Sequence, residues 1–226
     1  MFEGLESFAI AIDGPVGVGK STVARLVAAT LGITYIDTGA MYRAVAYYNL
    51  QNGTDLTNPI AVANSMQDIN IVLQQEEGIQ QVYLNNRNIT NLIRTQEISD
   101  IASRVVGVNA EIRSKLVKMQ QKLAKDSFVV MDGRDIGSTV LPSAELKIYL
   151  DAAPEIRAKR RVGDLKNRGL GGEFAQILQD TIERDYRDST RPVNPLQKTH
   201  DAILIDTGNL SSQEVADKIV LLANSR

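Results

Sequence analysis

One segment constrains this chain more than any other. Phe8–Ile12 is a short apolar run of the kind that forms a strand buried on both faces. Gly14-Pro15-Val16-Gly17-Val18-Gly19-Lys20-Ser21 follows at once and fits G-x-x-x-x-G-K-[ST]. Val23, Leu26, Val27 and Leu31 then recur at helical spacing, and Gly32 stands where a helix-ending glycine belongs. Glycines in such a turn let successive amides point inward around phosphate oxygens, and the next helix offers its positive end to the same anion. Gly14 to Thr22 are therefore candidate nucleotide-binding residues, with Lys20 reaching the β- and γ-phosphates and Ser21 holding Mg²⁺. A chance match in a chain this long has an expectation of about 0.01 at ordinary residue frequencies. The motif indicates a nucleoside triphosphate without saying which. No N-K-x-D tetrapeptide occurs, which disfavours a guanine-specific switch. For a short chain, transfer to a small molecule is favoured over an ATPase motor.

Composition narrows the chemistry. The chain has 226 residues, enough for one domain with an insertion. It has no cysteine, which excludes disulfides, thiolate nucleophiles, zinc–thiolate sites and iron–sulfur clusters. Its one histidine, His200, excludes a histidine metal cluster and is expected in a surface or capping role. The net charge of -2 argues against a nucleic-acid-coating surface. No run of apolar residues is long enough to span a membrane, and Met1–Ser7 lacks a basic leader, so a cytoplasmic location with no membrane partner is expected.

The pattern continues as strand, helix, strand, helix. Ile33–Ile36 reads as a second strand and residues 40–50 as a helix. Between residues 55 and 94 the rhythm breaks into two strand-like runs, Ile69–Leu73 and Gln80–Leu84, around a turn at Glu76-Glu77-Gly78. Helices are predicted near 96–106 and 110–125. Central strands are predicted at Phe128–Met131 and Leu146–Leu150, each running into an aspartate. A basic helix opens at Pro154, a glycine-rich loop holds Gly169, Gly171 and Gly172, and a polar helix covers 173–189. Ala202–Ile205 is the last strand and 214–224 the last helix. The fold class is α/β: a P-loop three-layer α/β/α arrangement around a five-stranded, mostly parallel sheet, with a small antiparallel insertion.

Three charged segments follow strands, on the sheet edge where open α/β folds bind ligands. They are Asp37–Arg43, Asp132–Gly137, and the basic run from Arg157 through Arg161 to Lys166 and Arg168. Arginines suit phosphate because they bind it bidentately and offset the charge that spreads over the transferring group. Asp37 and Asp132 are either helix or turn caps or, for Asp132, a Mg²⁺ position beside the predicted phosphate turn. Lys166 and Arg168 suit a solvated helix face equally well. Arg184, Asp188 and Arg191 are spaced four and then three apart, so one helical face carries all three, as ligand groups or as intrahelical pairs.

Together, GPVGVGKST (14–22), DTGAMYR (37–43), IRTQE (93–97), DGRDIG (132–137) and ERDYRDSTRP (183–192) closely resemble the bacterial cytidylate kinases, in order and spacing over nearly the whole chain. The resemblance implies a core at 1–54 and 107–226, a CMP-binding insertion at 55–106 and a short lid at 154–172. It implies MgATP and CMP or dCMP as substrates, no nucleic-acid partner, and a monomer. By position it places CMP on Thr38, Tyr42, Arg43, Ser103, Arg113, Arg134, Asp135, Arg184, Asp188 and Arg191. The serine and the Arg134–Asp135 pair would read the cytosine edge, and Asp188 would meet the sugar. Lys20, Arg134, Arg161, Arg184 and Arg191 would be catalytic, and Arg157 would join the ATP site. The stretch from Ser103 to Arg113 is one residue longer than the family pattern. A kinase for UMP, dTMP or shikimate, or an ATP-binding switch module, would use the same core.

Overall fold

The computed structural model describes residues 4–167, 169 and 171–226. In chain order the first half contains β1 (Phe8–Asp13), α1 (Lys20–Leu31), β2 (Thr34–Asp37), α2 (Thr38–Gln51), α3 (Pro59–Asn64), β3 (Ile71–Glu76), β4 (Ile79–Leu84), β5 (Arg87–Asn88), α4 (Gln96–Ile101) and α5 (Ala110–Ala124). The second half contains β6 (Phe128–Asp132), β7 (Leu146–Asp151), α6 (Pro154–Asn167), α7 (Phe174–Thr190), β8 (Ile203–Asp206) and α8 (Ser212–Asn224). Single π-type turns cover Ala102–Val106 and Ile136–Val140. The chain divides into two units, Met1–Thr34 with Asp126–Arg226, and Tyr35–Lys125.

The five-stranded parallel sheet has the order β2-β6-β1-β7-β8. β1 is its central strand, with Ile10 opposite Val130 of β6 on one side and Leu146 of β7 on the other. Ile10, Ala11 and Ile12 are wholly buried, which is why β1 is continuously apolar rather than alternating. The sheet order reverses around β1, so the turn leaving its carboxyl end lies at the switch point where such sheets bind ligands. That turn passes close against β7. A Cβ on Gly14, at φ +148°, would fall 2.1 Å from the Leu150 carbonyl oxygen, so only glycine fits. α1 buries Val23, Ala24 and Val27 and packs against α8, whose Val215, Ala216 and Ile219 are also buried.

The second unit has its own core. Met41, Ala44 and Val45 of α2 pack with Ile71, Val82, Leu84, Ile89, Ile93, Ile112 and Leu116. Its sheet is antiparallel, in the order β3-β4-β5. The β3–β4 turn is the predicted one, with positive φ at Glu77 and Gly78. Two elements are absent from the sequence reading. β5 has 2 residues, too few for a period-two pattern, and α3 has 6, carried by Asn58 capping and Pro59 at its first turn. α2 begins at Thr38 rather than near residue 40, because Asp37 accepts a hydrogen bond from the Ala40 amide and caps it there. The predicted helix at 96–106 is α4 continued by a π turn.

Candidate active site

In the first unit the Gly14–Ser21 turn joins β1 to α1. The Lys20 ammonium is buried and donates to the carbonyls of Gly14 at 2.8 Å and Pro15 at 2.6 Å. Burial and the nearby Arg134 guanidinium hold it well below the ordinary lysine range, against the opposing pull of Asp132, Asp188 and Asp13. An anion seated in the turn would favour the charged form. The Ser21 hydroxyl donates to Asp132 at 2.9 Å. Among the described residues no three His, Cys, Asp or Glu side chains cluster as a metal cage. A hydroxyl beside one carboxylate is the hard-oxygen pair that Mg²⁺ accepts when phosphates and water complete its shell, so these residues fit that ion.

Asp13, at the end of β1, orders the next segment. Its two carboxylate oxygens accept from the amides of Ile136 at 2.8 Å and Gly137 at 2.7 Å, which pins the DGRDIG loop. Burial pushes its carboxyl up to about 6, although both amide bonds and Lys20 oppose the shift. Sequence pattern alone does not mark Asp13 as an anchor. Its signal was an acidic residue immediately before the first motif glycine.

The pinned loop presents Arg134 and Asp135 to α7. Arg134 Nε donates to Asp188 at 2.8 Å, and Arg191 Nη2 approaches Asp135 at 3.4 Å, with Arg191 and Asp135 both buried. Arg191 Nη1 also lies 4.0 Å from Asp188, but α7 ends at Thr190 and Arg191 caps it with extended ψ, so only Arg184 and Asp188 of the three share the helix and this contact is a local one across its end. Arg184 sits half-buried on the same helix and acts electrostatically on Asp188. Arg157, on α6, is buried and donates to Val16 O at 3.0 Å and Ala152 O at 2.8 Å. Arg161 is half-buried on α6 and Lys166 is exposed. Arg168 lies outside the described residues. His200 is exposed in the turn before β8.

In the second unit Thr38 is buried at the start of α2. Arg43 pairs with the capping Asp37 at 2.7 Å. The Arg113 guanidinium stacks 5.3 Å from the centroid of the Tyr42 ring, a cation–π contact that turns a buried cation toward an aromatic face. Arg113 Nη1 also donates to Gly107 O at 3.2 Å. Ser103 lies in the π turn Ala102–Val106, and its buried hydroxyl has no hydrogen-bond partner among the described residues. A π turn holds one residue more than an α turn, so Ser103 sits on a locally widened stretch of backbone. An orphaned hydroxyl there suits a polar ligand atom, since leaving it unpaired costs free energy.

A buried lysine in a glycine turn, a Ser–Asp pair beside it and several paired arginines suit phosphoryl transfer, where catalysis is positioning plus charge stabilisation. The fold and these residues define a P-loop kinase. A solved structure of an uncharacterized protein from Eubacterium ventriosum shares the fold, with a TM-score of 0.52 at 13% identity over 97% of this chain and 99% of that one. Sequence similarity is far closer and more specific. The chain belongs to the cytidylate kinase family, whose family model matches residues 10–225. It is 46% identical to the cytidylate kinase of Bacillus subtilis over 95% of this chain and 96% of that protein. It is also 46% identical to that of Lactobacillus johnsonii, over 93% and 91%.

Proposed function

We propose that this protein transfers the γ-phosphoryl group of MgATP to CMP and dCMP, giving ADP with CDP or dCDP. The observation that carries the reading, beside family membership, is the crossed pairing of Arg134 with Asp188 and Arg191 with Asp135 in the unit that holds the phosphate turn. Cytosine offers N3 and O2 as acceptors and its amino group as donor. Guanidinium, carboxylate and hydroxyl groups answer that pattern, and Arg134, Asp135 and the orphaned Ser103 hydroxyl are the candidates. Uracil reverses the donor and acceptor at N3 and C4, and such a mismatch with fixed polar partners is worth about 10⁴-fold in favourable cases. Thr38, Tyr42, Arg43, Arg113, Arg184, Asp188 and Arg191 complete the proposed CMP set.

The attacking atom is an oxygen of the acceptor phosphate, anionic at neutral pH, so no general base is required. That agrees with a chain whose single histidine is exposed. Lys20, released from its two carbonyls, neutralises the transferring phosphoryl group, and Arg134, Arg161, Arg184 and Arg191 orient and stabilise the spreading charge. Ser21 and Asp132 would hold Mg²⁺, which when bound shields the charge of the β- and γ-phosphates. The same reading assigns the chain to pyrimidine nucleotide metabolism in the cytoplasm, acting as a monomer. A coupled ADP-release assay across CMP, dCMP, UMP, AMP and shikimate tests it. CMP and dCMP should stimulate turnover far above the others. ATP binding with no acceptor-stimulated ADP would favour a switch module and refute the kinase.

A further inference from the structure

α7 carries two aspartates three residues apart, and each holds an arginine from another segment of its unit. Asp188 takes Arg134. Asp185 takes Arg157, with Oδ2 2.6 Å from Nη2 and the two side chains 23% and 4% exposed. The other Asp185 oxygen accepts from the Val16 amide at 3.4 Å. Since Arg157 Nη1 donates to the Val16 carbonyl at 3.0 Å, the two residues grip that stretch of the phosphate turn together. Arg157 backs directly onto the turn: a Cβ on Gly17 would lie 3.3 Å from its own Cβ.

A guanidinium is planar, and its donors leave in fixed directions. Asp185, Val16 O and Ala152 O therefore define the plane of Arg157, and Asp185 is the charged member of the three. Asp185 does not act as a phosphate substitute. Among the described residues it makes no hydrogen bond to the amides from Gly17 to Ser21, where a phosphate would sit, and its hydrogen bond to the turn comes from the Val16 amide.

We propose that Asp185 is a positioning residue for phosphoryl transfer, acting through Arg157 to fix that guanidinium and the Val16 peptide against the phosphate turn. The inference rests on the kinase reading above. Its test is Asp185→Asn in the full chain, which keeps the shape and removes the charge. We expect kcat to fall tenfold or more with KM for CMP within twofold of wild type, and Asp185→Glu to recover part of the loss. In an Arg157→Gln background, Asp185→Asn should cost no more than a further twofold. If Asp185→Asn fails to melt cooperatively, the uncharged double variant against Arg157→Gln alone carries the test. Wild-type kcat in Asp185→Asn with a lowered Tm, or an equal loss repeated in the Arg157→Gln background, would overturn the proposal while leaving the kinase intact. Failure of the wild type to phosphorylate CMP would overturn both.

Discussion

Asp188→Asn removes one charge from the centre of a buried group of cations without changing side-chain shape. Arg134 Nε donates to Asp188 at 2.8 Å, Arg191 Nη1 lies 4.0 Å away, and the Arg134 and Asp188 side chains are 19% and 10% exposed. Burial pushes the Asp188 carboxyl up, but Arg134, Arg184 and Arg191 outweigh it and hold the group below the usual aspartate value of 3.8. Asparagine leaves Arg134 and Arg191 desolvated without that counter-charge. Breaking a buried pair by removing one partner costs about 3–5 kcal/mol. For a chain of this size each kcal/mol lowers Tm by about 2–4 °C, so the variant should melt roughly 6–20 °C below wild type at pH 7. The sign with pH follows from the depressed value. The carboxylate's contribution is fully present above 3.8 and is lost as pH falls through the lower folded value. The gap between wild type and variant should therefore hold from pH 7 to 5 and narrow in stronger acid. Circular dichroism melts over that range provide the readout. A variant melting within 2 °C of wild type at pH 7, or a gap that widens in acid, would refute the account of Asp188 as counter-charge.

Two further predictions concern the turn and its anchor. Gly14→Ala forces a Cβ to within 2.1 Å of the Leu150 carbonyl oxygen at φ +148°, so it should cost about 2–5 kcal/mol from backbone strain and overpacking. ATP affinity, read by equilibrium dialysis, should fall with it, and an alanine variant that binds ATP normally would contradict the close approach. Asp13 titrates near 6 in the folded chain against 3.8 otherwise, so the folded state binds the extra proton between these values. Its contribution to stability is most favourable below 3.8 and falls as pH rises through about 6. At 1.4 kcal/mol per pH unit the loss is about 3 kcal/mol. Urea unfolding of wild type against Asp13→Asn should show wild type losing most of that amount, about 2.4 kcal/mol, relative to the variant between pH 4 and 7.

The sheet strands and most helices are legible in the sequence because their signals are local. The continuous apolar run of β1, the glycine turn after it and the helical spacing of Val23, Val27 and Leu31 each act within a few residues. The Glu77-Gly78 hairpin is of the same kind. β5 and α3 are too short to carry a period, and the π turn at Ala102–Val106 differs from an α-helix in hydrogen bonding, to which residue spacing is blind. The Gly14–Ser21 turn and the arginine-rich segments were readable as residue types, and their partners were not. Asp13 bonds amides 123 and 124 residues away, and Arg134 meets Asp188 across 54. Asp185 and Asp188 sit in one motif and look interchangeable, yet one serves Arg157 and the other Arg134. Sequence alone thus determined the phosphate-binding turn and its strand–helix frame, since amide geometry and periodicity are properties of neighbouring residues. Tertiary structure decided which carboxylate answers which cation, because buried charges must be paired and the partners within reach are set by how sheet and helices bring distant segments together.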